Sequence, residues 1–431
     1  MSDIRFNRWL HQSGTGGVYQ DSAGSVGIGT TVPTELLDVQ DGNIKIGNNI
    51  ISSSGISTFS SATFSSIDVT TFNPTSLSVN GNNYPSVGPL SNRNLIINGA
   101  MQVAQRATQV TSVTTGGYKT CDRYYYTINS LGTWTIDQAT DAPEGFAKSF
   151  KLTCTTADAT PAATDYAFIQ QSIEAQNLQH LKYGTSNAEN LILSFWVKSN
   201  KTGNASLECV QFDNTLKQFT TSYTINSADT WEYKTITIPG DSAGVINDDN
   251  DVGITIAWWL NSGSNFTTGT HNATWETADN TNRNATNLGV GGATSDYFTI
   301  TGVQLELGDV ATPFEHRSFA DELQKCHRYF EKSYDIDTTP GTNAGTTSSV
   351  EDFYISPNAP ARIRFSVSKR VAPSIVVYDP AGNSGRYAIN LNTNNAVPLA
   401  VDNTGNSGFK LFTNATAQSR ATFHWTAEAE L

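Results

Sequence analysis

The chain has 431 residues, of which 15% are charged, 26 basic against 39 acidic, for a formal net charge of −13. That balance argues against a nucleic-acid binder, whose affinity comes from clustered Lys and Arg that release counterions, and the length suffices for roughly two to four domains. The 55 Thr, 38 Asn and 34 Gly favour β-structure rich in turns, because Thr is β-branched and Asn and Gly accept left-handed backbone angles.

The opening, Met1 to Arg5, has no basic segment leading into an apolar stretch, so the expectation is a protein made in a cytoplasm without an export signal. Ile4, Phe6, Trp9 and Leu10 form an apolar cluster at a chain end, where segments fray unless docked; residues 1–30 therefore read as an attachment tip. Val26-Gly-Ile-Gly-Thr-Thr-Val-Pro and Leu36-Leu-Asp-Val-Gln-Asp-Gly-Asn-Ile-Lys-Ile read as short strands around turns, with Asp41-Gly42 a hairpin signal. From Lys45 to Arg93 the sole charged residue is Asp68, yet Phe59, Phe64, Ile67 and Phe72 recur among Ser, Thr, Gly and Asn. Disordered linkers are usually highly charged and poor in aromatics, and a lone hairpin is marginal in water. Residues 31–92 are accordingly expected to form a β-shaft that buries these side chains against partner copies, with a flexible Ser/Thr linker as the alternative.

At Arg93 the pattern turns globular. Leu191, Leu193, Phe195 and Val197 alternate with Ile192, Ser194, Trp196 and Lys198, and Val252, Ile254, Ile256, Trp258 and Leu260 alternate with Gly253, Thr255, Ala257 and Trp259. Period two means strand. Further strands are expected at 151–155, 206–212, 231–239 and 296–305, separated by Gly, Asn and Asp turns as in a β-sandwich, with a helix near 173–181. After Pro313, Ser318 with Asp321 makes a capping pattern for a helix whose stripe is Phe319, Leu323, Cys326 and Phe330. Strands are expected again at 362–368 and from Ala421 to Leu431, the last implying a tied-down end, while 380–408 reads as Gly/Asn-rich loops.

No catalytic signature stands out: there is no GxSxG, HExxH or P-loop, and His11, His180, His271, His316, His327 and His424 show no ligand spacing. Cys121, Cys154, Cys209 and Cys326 are too dispersed for a metal ribbon or a disulfide framework, so free buried thiols are expected. Glu276 and Asp279 are a candidate carboxylate pair for glycoside cleavage, but any acidic β-protein offers such pairs. Asn247-Asp-Asp-Asn-Asp251 supplies hard oxygens for Ca²⁺ without a regular loop spacing, and reads better as a solvated turn. The aromatics carry more. Trp196 and Trp259 fall opposite the core stripes of their strands, and Trp275 sits in an Asn/Thr-rich loop; an exposed indole stacks on the apolar face of a sugar ring. The alternative is that the second face is covered by a helix, a loop or another subunit.

Three segments carry a resemblance. Asn94-Leu-Ile-Ile-Asn-Gly-Ala-Met-Gln-Val-Ala-Gln-Arg-Ala-Thr leading to Cys121-Asp-Arg-Tyr-Tyr-Tyr resembles the opening of the receptor-binding region of tailed-bacteriophage tail fibres. Residues 191–198, 231–239 and 298–308 are similar to the carbohydrate-binding-module-like jelly roll that follows it. Residues 300–319, with Glu322-Leu-Gln-Lys-Cys-His-Arg-Tyr-Phe, are similar to the strand-to-helix hinge of that family, and Phe423 to Leu431 to its terminal strand. The resemblance runs from Arg93 onward; before it, the Val26 segment is more loosely similar to marine phage structural proteins. It implies a homotrimeric, non-enzymatic virion fibre made in the host cytoplasm. Such a fibre joins the phage tail or an adaptor protein by its N-terminus and touches a host glycan or outer-membrane receptor with its C-terminal part. Neither nucleic-acid binding, membrane insertion, a metal nor a cofactor is expected. The expected architecture is mainly β: tip 1–30, shaft 31–92, jelly roll 93–316, connecting helix 317–334 and a C-terminal β-knob 335–431. Phe59, Phe64, Ile67, Phe72, Leu323 and Phe330 are the candidate contacts between copies. A capsid decoration or tail-assembly protein and a glycan-depolymerising spike are the alternative functions.

Overall fold

The computed structural model describes residues 8–10, 17–39 apart from 29 and 35, the segments 44–46, 49–51, 77–79 and 82–84, and 92–431 apart from 214–215, 345–349, 356–359, 390–391, 399 and 413–418. Contacts divide the chain into two units, Met1–Asn73 and Pro74–Leu431.

In the first unit a small sheet runs in the order Arg8–Leu10, Gly17–Gln20, Val26–Ile28, Leu37–Val39, the last pair parallel and the others antiparallel. Trp9 pairs with Val18 and Leu10 with Gly17; Ile4 and Phe6 lie outside the described residues. Four strands of three or four residues enclose little. Val18, Ile28, Val32, Leu36 and Leu37 remain 40 to 80% exposed. Phe59, Phe64, Ile67, Phe72 and the Asp41-Gly42 turn lie outside the described residues. Between 44 and 84 the described segments are two hairpins, Ile44–Ile46 with Asn49–Ile51 and Leu77–Val79 with Asn82–Tyr84.

Past its Leu77–Tyr84 hairpin, the second unit holds a β-sandwich of jelly-roll type. One sheet has seven strands in the order Gly117–Tyr118, Tyr125–Asn129, Tyr166–Glu174, Val252–Ser262, Gly203–Gln211, Lys217–Ile225, Glu276–Thr277. The facing sheet has six: Glu232–Ile238, Leu191–Ser199, Tyr297–Leu307, Ser149–Thr156, Thr133–Ala139, Gln109–Val113. Alternation puts Leu193, Phe195 and Val197 of one sheet against Ile256, Trp258 and Leu260 of the other, and all six are buried in a core that also holds Trp134, Phe150 and Phe298. At Ile173 the expected helix is instead the end of a strand, followed by a 3₁₀ turn over Ala175–Leu181. All four cysteines are free and buried.

The connecting helix, Phe319–His327, is capped as its sequence dictates: the Ser318 hydroxyl accepts from the Asp321 backbone N–H at 3.2 Å. It is shorter than its apolar stripe suggested. The chain turns at Arg328, and Phe330–Lys332 becomes a strand paired with Glu428 to Thr426, because the terminal strand offers a full ladder. Phe330 is therefore not an inter-copy contact: it is 4% exposed, with the Arg106 guanidinium 3.8 Å above its ring. Leu323 is half-buried on the helix.

In the knob, Ser419–Glu428 is the hub, pairing with Phe330–Lys332, Glu351–Ile355, Ser374–Tyr378 and Arg386–Ile389. Phe423, Trp425, Ala421 and Ala427 point into a core shared with Tyr387, Phe409 and Leu411. A second sheet has three strands in the order Ala361–Arg364, Gly408–Phe412, Ala400–Gly405. The 380–408 stretch is thus not loop but includes Arg386–Ile389, Asn392–Pro398 and Ala400–Gly405. Asn-rich strands give a weak side-chain signal, and here backbone pairing between neighbouring segments supplies the order.

Knob and sandwich are joined through charge. Glu174, fully buried, accepts both forks of Arg328 at 2.6 Å and the Tyr329 hydroxyl at 2.5 Å. Burial pushes this carboxyl up, and those bonds outweigh it and hold it below the usual carboxylate range.

His424 makes the knob sensitive to acid. It is fully buried, stacked on Tyr334 at 3.9 Å, and burial drives its imidazole down from 6.5 to about 4. The folded state resists a proton that the unfolded chain accepts. That contribution to stability is complete above pH 6.5 and is lost as pH falls toward 4. Thermal melts from pH 7.5 down to about 4.5 should show a falling midpoint whose slope is shallower in His424→Gln; equal slopes would refute the assignment.

Candidate functional site

The outer face of the six-stranded sheet carries a groove of about 610 Å³ lined by Trp196, Tyr233, Phe146, Phe314 and His316 among others. Two of these residues come from paired strands. Trp196 and Tyr233 are directly opposite in register, with ring centroids 5.3 Å apart. Tyr233 is 44% exposed and Trp196 half-buried, so both rings keep a face toward water.

A glycine opens the floor. Trp196 pairs with Thr301 while Ser194 pairs with Gln304, so Gly302 and Val303 together oppose Phe195 in a bulge. Gly302 has φ +60°, and a Cβ there would lie 2.7 Å from the Phe146 ring and 3.0 Å from the Trp196 indole. A side chain at 302 would displace one of the two rings.

The far wall is a cluster: Phe146 to Phe314 at 5.0 Å, Phe146 to His316 at 5.3 Å and Phe314 to His316 at 4.9 Å. Phe314 and His316 belong to the segment leaving the strand Tyr297–Leu307. Glu306, buried on that strand, fixes it by accepting from the Thr312 backbone at 2.8 Å and hydroxyl at 2.7 Å, while Gln304 accepts from the Glu315 N–H at 2.7 Å. The same face continues past the groove, where Lys198 lies 5.4 Å over the Trp231 ring and pairs with Asp141, which also accepts the Trp231 indole N–H at 3.2 Å.

Trp259 is elsewhere and is not a platform. It lies on the outer face of the opposite sheet, but it is fully buried under Phe266 and beside Phe168 and Tyr166. Arg283 sits 5.0 Å from its centroid, and the buried Glu208 carboxylate accepts its indole N–H at 3.0 Å as well as both forks of Arg283 at 2.7 and 3.0 Å. The chain covers this face itself. Trp275 is likewise structural: it donates to the Pro239 carbonyl at 2.6 Å and packs against Tyr183 and Phe219 at the core's edge.

The carboxylates considered for hydrolysis are engaged as acceptors. Glu276 takes the amides of Gln218 at 3.0 Å and Asn282 at 2.9 Å, and Asp279 caps a short turn through the Thr281 N–H. The 247–251 turn docks on the knob, where the Arg370 guanidinium donates to the Asn250 carbonyl at 2.9 Å and Asn250 donates to the Arg370 carbonyl at 2.5 Å.

Of the three tryptophans singled out in the sequence, the structure brings one, Trp196, into the groove. Tyr233 was findable, since 231, 233, 235 and 237 form the outward set of their strand. Phe146 gives no sequence signal, and Phe314 and His316 depend on the Thr312–Glu306 bonds.

No protein-family model matches the chain, and neither does any curated protein. Solved structures do match. The enzymatically active domain of bacteriophage CBA120 tailspike protein 4 is 14% identical over 50% of this chain and 21% of its own, with a TM-score of 0.27. The arabinose-bound α-L-arabinofuranosidase MgGH51 is 9% identical over 55% and 30% respectively, with a TM-score of 0.29. The carbohydrate-binding module TmCBM61, solved with β-1,4-galactotriose, is 10% identical over 50% and 99%, with a TM-score of 0.24. This chain thus spans less than a third of the tailspike and arabinofuranosidase chains. Scores this low assign neither a family nor a ligand.

Proposed function

We propose that this chain is a tail fibre of a phage virion, a homotrimer attached by its N-terminus, which binds a neutral host-surface glycan in the Trp196–Tyr233 groove without cleaving it. The observation that carries the binding role is the groove itself: two half-open aromatic rings on a sheet face, a third and fourth ring behind them, and a volume within the range of small-ligand sites. Aromatic faces suit the C–H face of a pyranose, and a chain of net charge −13 favours a neutral sugar over an acidic one at this site.

The fibre role rests on the resembling segments, which pack on one another: Arg317 of the hinge donates to the Ile96 carbonyl at 3.1 Å, and Asn94 accepts from the Leu305 N–H at 3.1 Å. Assembly rests on the apolar side chains that residues 17–39 leave in water, for which identical copies are the simplest cover. Weak sites on many fibres would sum through effective concentration. Light scattering should give about three times 46.5 kDa, and antibody against the knob should decorate fibre ends on particles. A monomer at micromolar concentration would remove the trimer, and unlabelled particles would remove the virion.

A further inference from the structure

The three-stranded sheet of the knob carries a feature at odds with the rest of this acidic chain. Arg362 lies directly opposite Lys410 in the ladder between Ala361–Arg364 and Gly408–Phe412, so two cations share one position on one face. Arg364, two residues on, points to that same face; alternation exposes Arg362 and Arg364 and buries Ala361 and Ile363. Like charges directly opposite one another across a pair of strands are destabilising. None of the three cations forms an ion pair with a described carboxylate. Asp402 is the register neighbour of Lys410 on the third strand; it accepts from Asn403 through its backbone N–H at 2.8 Å and its amide at 2.5 Å and forms no ion pair with Lys410, so its charge offsets the three cations only in part. The undescribed residues of the knob, 345–349, 356–359, 390–391, 399 and 413–418, contain no Asp or Glu.

The three cations border a groove of about 210 Å³ that also includes Asn403 and Ser407. Gly408 stands opposite Arg364, so no side chain fills the space beside that guanidinium, and a Cβ there would lie 2.2 Å from the Ile363 carbonyl oxygen. An unfavourable charge arrangement kept on a folded sheet, with room beside it and neutral polar groups at its rim, has the form of a site completed by its ligand.

We propose that this groove is a second saccharide site, separate from the Trp196 groove, which takes the anionic substituent of an acidic polysaccharide. Arg362 and Lys410 share the anion from opposite strands, Arg364 offers a planar fork, and Asn403 and Ser407 face neighbouring hydroxyls. Carboxylate and sulfate ester present the same chemistry to such a cluster. A nucleic acid fits worse, because three cations on one short sheet answer one or two anionic groups, whereas a nucleic-acid backbone is gripped by a longer track of cations along its phosphates.

The test measures binding of the full chain to polygalacturonate oligomers, sulfated dextran, unsubstituted dextran and single-stranded DNA. At least one anionic polysaccharide should bind, and the pair of anionic polymers separates carboxylate from sulfate. The double variant Arg362→Gln with Lys410→Gln should bind it at least tenfold more weakly, and raising NaCl tenfold should weaken the wild type. Trp196→Ala should leave this binding unchanged, which separates the site from the proposed neutral-glycan groove. Removing a repulsive pair should leave the melting temperature equal or higher. If the double variant melts lower, Arg364→Gln alone replaces it and should show the same direction of loss. Unchanged binding in these variants, equal affinity for unsubstituted dextran, tighter binding to DNA, or no binding to either anionic polymer overturns the proposal.

Discussion

Replacing Glu430 with alanine should cost about 3–5 kcal/mol of stability, because it leaves a buried guanidinium without its counter-charge. Arg123 is 1% exposed, ion-paired with Glu430, and lies 3.5 Å above the Tyr329 ring. Its remaining bond is to the Ser172 carbonyl at 2.7 Å, and its Nε has no acceptor. Glu430 also holds Arg106 at 3.1 Å, itself 3.8 Å from the buried Asp122 and 3.4 Å from Glu428. The residue therefore joins two loops of the sandwich, at Arg106 and Arg123, to the segment that follows the knob's central strand. The Tyr118 hydroxyl, donating to the Leu431 carbonyl at 2.9 Å, and Arg370, donating to the Ala429 and Glu430 carbonyls at 3.2 and 2.9 Å, complete the clasp.

Denaturant titration measures the loss as a lower midpoint, and an undiminished slope keeps it a stability change. A loss below about 1 kcal/mol would mean that Glu428 or water takes over the Arg123 charge, contrary to the burial argument. Charge, not volume, is what fails in this variant. Arg123→Met combined with Glu430→Leu, which removes both charges and fills the space, should recover most of the stability.

The sequence made the sandwich legible because its core strands are buried on one face and obey period two strictly. The run from Val252 puts Trp258 in the core and Trp259 outside it, as the alternation requires. The same rule says nothing about what lies over the outside face. Trp196 and Trp259 look alike in sequence; what separates them is Phe266 and Arg283, brought back from 7 and 24 residues downstream of Trp259 to cover it, whereas among the described residues nothing comparable lies across the Trp196 indole. The Phe330 error has a similar origin. A helical stripe of Phe319, Leu323, Cys326 and Phe330 continues on paper, but a strand edge from residues 426–428 captures the last of them. The Asn-rich strands after Arg386 were hidden for the opposite reason, since they are held by backbone pairing and lack an apolar alternation to read.

That contrast between the two tryptophans yields the sharpest test of the neutral-glycan groove. Trp196→Ala should weaken binding of the preferred neutral oligosaccharide by about tenfold or more, as loss of a central aromatic anchor does, while the melting midpoint stays near wild type. The ring is half-buried, and its neighbours Tyr233 and Phe146 hold positions fixed by their own strand and turn. Trp259→Ala should do the reverse. Removing a fully buried indole costs about 3–5 kcal/mol and takes from Glu208 one of its donors, leaving Arg283, yet the groove lies on the opposite sheet and its affinity should hold wherever the variant is folded. Gly302→Ala gives an independent reading of the same geometry. Its added carbon would displace the Phe146 or Trp196 ring, so affinity should fall although no contacting ring is removed. If Trp196→Ala binds within twofold of wild type, the groove is not the glycan site, and the exposed faces of Trp196 and Tyr233 instead belong to a protein contact within the particle.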